Sequence, residues 1–260
     1  TTVSEVQSGD YEGRTVQLEN IVVTEAESDF DGYSVFWVQD AGAGEWSGLY
    51  VFVRENTAAE VSVSRGDIIN LSGAIEERYE QTQLVLDDAN DIELVSSGAD
   101  TTTVVLTESP ADWENYEGVL VTLENAVIGT GGQYGQYEIS NFTGIKLDDE
   151  LYQAGVAQND EIAELTGLVY FSYGEFTILP RDAEDVGGTT EGPGDTPVDS
   201  TIVDCRNGTI AQGTTVTVDT GVVTAVSSTK VYIQDPNATE YAAIIVYFGS
   251  TPFTLNVGDL

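Results

Sequence analysis

The chain has 260 residues, 41% of them hydrophobic, enough for one large domain or two to three small ones with real cores. Asp and Glu number 45 against 8 Lys and Arg, a formal net charge of -37, so no face can gather the basic cluster that duplex nucleic acid demands. Histidine is absent, which removes the commonest general base, the usual serine triad and imidazole metal ligation.

Cys205 is alone, so neither a disulfide nor a thiolate zinc site can form within the chain. No apolar run approaches the roughly 18 residues that a membrane helix needs, and Thr1-Thr2-Val3 has no signal-peptide character. Acidity on this scale is best tolerated where salt or divalent cations screen it, which points to an extracellular or cell-surface location.

Alternating apolar and polar residues, enriched in Val, Ile, Thr and Tyr and punctuated by Gly or Asn-Asp, predict antiparallel strands through most of the chain. The first copy of a repeated unit starts with Tyr11-Glu12-Gly13 and continues through Val16-Gln17-Leu18-Glu19-Asn20 to Val23. Strands follow at Phe36-Trp37-Val38-Gln39-Asp40 and Leu49-Tyr50-Val51-Phe52-Val53, then a short helix over 55–61, the Gly66-Asp67 turn, Leu71-Ser72-Gly73 and Asp88-Ala89. The second copy starts at Tyr116-Glu117-Gly118 and matches the first at eight of thirteen positions up to Ile128. It reaches Leu165-Thr166-Gly167 and Asp182-Ala183, with helical turns predicted in 110–115 and 149–155. Periodic self-similarity of this kind decides the architecture.

Gly, Pro, Thr and acidic residues over 187–197 read as a linker. Beyond it, Val216-Thr217-Val218, Val231-Tyr232-Ile233-Gln234-Asp235 and Ile244-Ile245-Val246-Tyr247-Phe248 repeat the first copy in order, ending on Gly258-Asp259-Leu260 where that copy has Gly66-Asp67-Ile68. The expected organisation is a first barrel over 1–98, a second over 99–188, a linker over 189–200 and a truncated third over 201–260. A longer chain or a strand added from another molecule could complete the third copy; a longer chain is favoured, because nothing near the N-terminus resembles the absent strands. The expected fold class is all-β, a row of small closed five-stranded barrels, the third incomplete.

The order Tyr-Glu-Gly, Val-x-Leu-Glu-Asn, hydrophobic-Gln-Asp, Gly-Asp and Leu-Ser-Gly resembles the oligonucleotide/oligosaccharide-binding (OB) fold repeats of secreted bacterial nucleases and surface proteins. Arg206-Asn207-Gly208-Thr209, Gly213-Thr214-Thr215-Val216-Thr217-Val218 and Val231-Tyr232-Ile233-Gln234-Asp235-Pro236 are similar to the non-catalytic repeats of such exported multidomain proteins. The resemblance implies OB-like barrels, and one fold hosts many activities. The second copy departs from it, with Ile139-Ser140-Asn141 in place of the hydrophobic-Gln-Asp triplet.

If Phe36 and Val38 point into the first barrel, Trp37, Tyr50 and Phe52 face outward, as do Tyr232, Ile245 and Tyr247 in the third copy. Such rings either bind a ligand by stacking or pack against a loop or neighbouring domain. In the second copy the corresponding positions are Glu138 and Lys146, a cross-strand ion pair. Asp87, Asp88 and Asp91, with Asp29-Phe30-Asp31, Asp148-Asp149-Glu150 and Asp182-Ala183-Glu184-Asp185, offer oxygens of the type calcium takes, against a default of solvated loops. No other cofactor is indicated. Asn70, Asn141, Asn207 and Asn237 each open an Asn-x-Ser/Thr sequon.

The residues thus predict a non-enzymatic structural or interaction segment of an exported cell-surface or filament-forming protein. Its expected partners are neighbouring domains or other copies of itself, a homopolymer being one outcome. The reading set against it is an accessory module that binds single-stranded nucleic acid or carbohydrate for a secreted enzyme.

Overall fold

A computed structural model describes residues 1–30, 32–190, 198–210, 216–218, 220–227, 229–247 and 254–259. The chain divides into two compact units, Thr1–Thr190 and Glu191–Leu260. The first holds two closed five-stranded barrels and the second an incomplete copy of the same motif.

Helix α1 (Val3–Gln7) opens the first barrel. It was not foreseen, although its capping box is legible in the sequence: Thr2 Oγ1 accepts the Glu5 N–H and the Glu5 carboxylate accepts the Thr2 N–H. The strands are β1 (Thr15–Phe30), β2 (Tyr33–Gln39) and β3 (Gly48–Val53), then, after α2 (Glu55–Ala58), β4 (Ile68–Arg78) and β5 (Gln81–Leu86). Their order β1-β2-β3-β5-β4 closes through β1–β4, with β3 and β5 parallel and the other pairs antiparallel. This is the OB topology. Strand β6 (Ile92–Ser96) continues outside the barrel on β4.

Strand β7 (Val104–Leu106) and a 3₁₀ turn at Trp113–Tyr116 lead into β8 (Leu120–Gln133), β9 (Gln136–Ile139), β10 (Ile145–Leu147), β11 (Glu161–Ser172) and β12 (Glu175–Leu179). These strands repeat the first barrel's order, closing through β8–β11, with β10 and β12 parallel. Strand β13 (Val186–Thr190) lies on β11.

The repeated words mark the places where a barrel must bend. In Leu-Glu-Asn, Asn20 (φ 56°) and Asn125 (φ 55°) take the left-handed conformation. At the first of them β1 shifts register on β4 between Leu18 and Ile21, bending toward β2. Asparagine tolerates this φ better than most residues. Side chains of two sequon asparagines pin the bends: Asn70 Oδ1 accepts the Asn20 N–H at 3.0 Å, and Asn141 Nδ2 donates to the Asn125 carbonyl at 2.9 Å.

Phe36, Val38, Leu49, Val51 and Val53 point into the first barrel with Leu18, Ile69, Leu71 and Leu84, and Val3 and Val6 of α1 join that core. Ile128, Ile139, Phe142, Ile145, Leu165 and Ile178 do the same in the second. Fully burying each such side chain contributes about 1.5–3 kcal/mol.

No helix forms over 149–155. Leu151 packs on the aromatic cluster between the barrels while Ala154 and Val156 pack on the second barrel's core, so the segment's apolar residues serve two bodies and an extended crossing suits them better than a helical stripe. The helices predicted near 55–61 and 110–115 are a four-residue α2 and the 3₁₀ turn at Trp113–Tyr116.

In the second unit, β14 (Val198–Ser200) pairs in parallel with β15 (Val216–Val218), with α3 (Ile202–Asn207) between them, and β16 (Val222–Val226), β17 (Lys230–Gln234) and β18 (Ala243–Tyr247) form an antiparallel sheet. Its kinship with the barrels is visible in one turn. The Val23, Ile128 and Val223 N–H groups donate to the Asp67, Asp160 and Asp259 carbonyls at 2.8, 2.9 and 2.9 Å. The three Asp side chains each accept the N–H three residues back, at 2.8, 2.8 and 2.7 Å. Of the predicted linker and third-copy segments, 191–197, 211–215, Phe248 and Leu260 lie outside the described residues, as does Asp31.

Candidate functional site

The two complete barrels share a desolvated seam. Trp37 and Tyr50 project from the outer face of β2 and β3, and Leu120, Leu168 and Leu179 of the second barrel cover them. Trp37 is 0% exposed; its ring meets Phe30 edge-on at 5.2 Å and Tyr50 at 5.3 Å between centroids. Gln39, also buried, acts as a polar clasp: its Oε1 accepts the Leu120 N–H and its Nε2 donates to the Thr102 carbonyl, both at 2.9 Å. At one point backbone lies against backbone, since a Cβ placed on Gly48 would sit 2.1 Å from the Gly118 carbonyl carbon.

Two of the six arginines bridge the barrels on the seam's flank. Arg181 pairs with buried Asp185 at 2.7 Å and donates to the Thr24 carbonyl at 3.1 Å. Arg65 pairs with Glu25 of its own barrel and with Asp182 of the second, and its hydrogen bond holds the Asp182 carboxyl below the usual range.

Glu117, of the second Tyr-Glu-Gly, is the seam's electrostatic anomaly. Its Oε1 accepts the Thr82 N–H of β5 at 3.0 Å, whereas its Oε2 is buried without a hydrogen-bond partner. Burial first, then the charge of Glu114, pushes the carboxyl up to about 8. At neutral pH the group is therefore largely protonated.

Above the seam opens a cleft of about 740 Å³ lined by Phe30, Tyr33, Tyr50, Phe52, Tyr79, Tyr170, Phe171 and Tyr173 with Arg78, Glu80, Gln81, Gln83 and Ser172. That size lies within the usual range for small-molecule sites. Tyr33 and Phe52 tilt against each other at 5.3 Å, and Phe30 meets Tyr170 edge-on at 5.3 Å across the barrels. The Arg78 guanidinium lies over the rings of Phe52 and Tyr79 at 5.9 and 5.4 Å.

The rim comes from two hairpin tips. Arg78 pairs with Gln81 and Ser172 with Glu175, leaving Tyr79-Glu80 and Tyr173-Gly174 as two-residue loops. All four residues have positive φ (55°, 65°, 53° and 83°), the requirement of a type I′ turn. Tyrosine is an uncommon choice there, and both rings stand in solvent, Tyr79 83% exposed and Tyr173 wholly so.

The other predicted residues fall as follows. Phe52 is half-buried at the cleft, while Tyr232 and Tyr247 are exposed on β17 and β18. Lys146 sits 3.6 Å from Glu138 and, more closely, 2.7 Å from Glu175. Asp87, Asp88 and Asp91 are each engaged otherwise or left in solvent: Asp87 accepts from Arg54 at 2.7 Å, Asp88 caps the 3₁₀ turn at Ala89–Asp91, and Asp91 is exposed. Among the described residues no group of three or more Asp, Glu or Cys side chains is arranged to hold a metal ion, and no helix is long and apolar enough to cross a membrane. Sequence reasoning missed Tyr33, Tyr79, Tyr170 and Tyr173; the signal it could have used is Tyr-Glu or Tyr-Gly standing between two strands where Asn-Gly is usual.

No family model matches the chain, and no curated protein matches it. Among solved structures, the p204 HINb domain is similar at 14% identity, over 66% of this chain and 94% of that one, with a TM-score of 0.31. The tetrameric p202 HIN2 is similar at 13% identity, over 70% and 94%, with a TM-score of 0.28.

Proposed function

We propose that this chain is a non-catalytic interaction segment of an exported, cell-surface or filament-forming protein, and that the cleft shared by its first two barrels is its binding surface. The observation that carries this reading is the seam. A tryptophan with no exposure, a buried glutamine clasp and a glycine pair in backbone contact fix two barrels as one body. Preorganised aromatic walls of this kind bind without losing loop or side-chain freedom on association. Absence of histidine leaves the cleft with one guanidinium, one carboxylate, amides and hydroxyls set among aromatic rings, groups that can hold a molecule by hydrogen bonds and stacking.

The test is to incubate the full chain with polysaccharide, nuclease and ester substrates and to follow tryptophan emission on adding each. The expected result is no turnover, with emission changes confined to ligands that reach the cleft. Turnover abolished by a single substitution in the cleft would overturn the reading.

A further inference from the structure

We propose that Asn207 and Asn237, the sequon asparagines of the second unit, are sites of N-linked glycosylation, and that Asn70 and Asn141, those of the two barrels, stay bare. The substrate is an oligosaccharide carried on a lipid pyrophosphate. The inference is independent of the cleft and takes from the proposed function only the exported location, which brings a chain to such a donor.

In the reaction, Asn Nδ2 bonds to C1 of the first sugar, the bond from C1 to the pyrophosphate oxygen breaks with its electron pair, and the amide gives up one proton. The transferring enzyme reads the whole Asn-x-Ser/Thr segment. Nδ2 must therefore be free, and the segment must be able to leave the protein surface.

The barrel sequons meet neither demand. Both amide atoms of Asn70 are in use: Oδ1 accepts the Asn20 N–H at 3.0 Å and Nδ2 donates to Glu93 at 2.9 Å. Those of Asn141 hold β8, with Oδ1 accepting the Val127 N–H at 2.8 Å and Nδ2 donating to the Asn125 carbonyl at 2.9 Å. The middle residues, Leu71 and Phe142, are each 1% exposed within a barrel core. Thr143 is tied down as well, its N–H donating to Ser109 Oγ and its carbonyl accepting from Trp113 Nε1, both at 2.8 Å. Presenting either segment means extracting a core side chain and breaking both hydrogen bonds of the asparagine.

The sequons of the second unit are built the other way. Asn207 ends α3, and Gly208 follows in the left-handed conformation (φ 86°), so the middle residue has no side chain to bury. Asn207 Oδ1 accepts both the N–H and the hydroxyl of Thr209, at 2.9 and 2.7 Å. That Asx turn folds the sequon on itself and leaves Nδ2 without a hydrogen bond among the described residues. Asn237 stands in the turn between β17 and β18. Its backbone N–H donates to Asp235 Oδ1 at 2.8 Å, and its side-chain amide bonds to nothing among the described residues. Asn207, Thr209, Asn237 and Thr239 are all exposed.

The test incubates the folded full chain with an oligosaccharyltransferase and a lipid-linked oligosaccharide, and reads occupancy at each asparagine from glycopeptide masses. A proteolytic digest of the same chain is the unfolded reference. Asn207 and Asn237 are expected to fill in both samples, whereas Asn70 and Asn141 fill in the digest and at least about tenfold less in the folded chain. Thr209→Ala and Thr239→Ala should each abolish occupancy at their own site alone. Comparable filling of all four asparagines in the folded chain overturns the proposal, as does a folded chain bare at Asn207 and Asn237. A digest in which Asn70 and Asn141 stay as bare as in the folded chain overturns the structural cause. A chain that fills in vitro but is isolated bare from the cells that make it overturns the modification and faults the exported location, leaving the cleft to its own test.

Discussion

The first barrel and the third copy carry the same outer face, with opposite fates. Register aligns Trp37 with Tyr232, Tyr50 with Ile245, Phe52 with Tyr247 and Gln39 with Gln234, because Val23 faces Val38 as Val223 faces Ile233, with a bulge following in both. In the first barrel Trp37 is sealed. In the third copy Tyr232, Ile245 and Tyr247 are 39, 55 and 67% exposed. The decisive difference lies at the start of β3, where Gly48 is replaced by Ala243 in β18. An added Cβ is incompatible with the backbone contact that Gly48 makes with Gly118, so the third face is not built for the seam's close approach.

Five substitutions break or sharpen this contrast. The largest effect belongs to Trp37→Ala, expected to cost ~4 kcal/mol in urea unfolding because it empties the middle of the seam. Gly48→Ala comes next, at ~3 kcal/mol, since the clash is with backbone and the barrels must separate to relieve it. Hydrogen exchange at the Leu120 amide should rise with it, whereas Ala243→Gly should change stability by no more than the ordinary glycine penalty of ~1 kcal/mol.

Glu117→Gln tests the seam's charge. The folded carboxyl titrates at about 8 against an ordinary 4.5, so burial costs nothing below the lower value. The cost grows as pH rises through that window and levels off above it. The variant should match the wild type at pH ~4 and exceed it by ~2 kcal/mol at pH ~6, with the gap widening toward pH ~8, read as the difference between two unfolding series. A constant difference across that range would show that Glu117 acts by shape alone. The smallest effect is expected for Tyr232→Ala, within ~0.5 kcal/mol, because its ring is largely solvated.

Much of the barrel was legible because its bends demand particular residues. Leu-Glu-Asn marks one shared position in two strands, where both asparagines turn out left-handed, Gly-Asp marks a turn, and alternation at 36–38 and 49–53 separates core from outer rings. The seam was half legible. Outward Trp37 and Tyr50 could be read, but not whether ligand or protein covers them, because Leu120, Leu168 and Leu179 lie far along the chain and sit in strands that read simply as core. The cleft was scarcely legible, since its rim tyrosines occupy hairpin tips where aromatic residues carry no periodic signal.

By itself the sequence determined a repeated all-β unit, its turns, its inner faces and a strongly negative net charge, because each of these follows from local geometry or a sum over residues. Only the tertiary structure decided that two barrels fuse across Gly48 and Gly118, that Glu117 loses its solvent, and that tyrosines 94 residues apart share one cleft. Those outcomes depend on which surfaces meet, and contact between distant segments is fixed by packing, which no local pattern encodes.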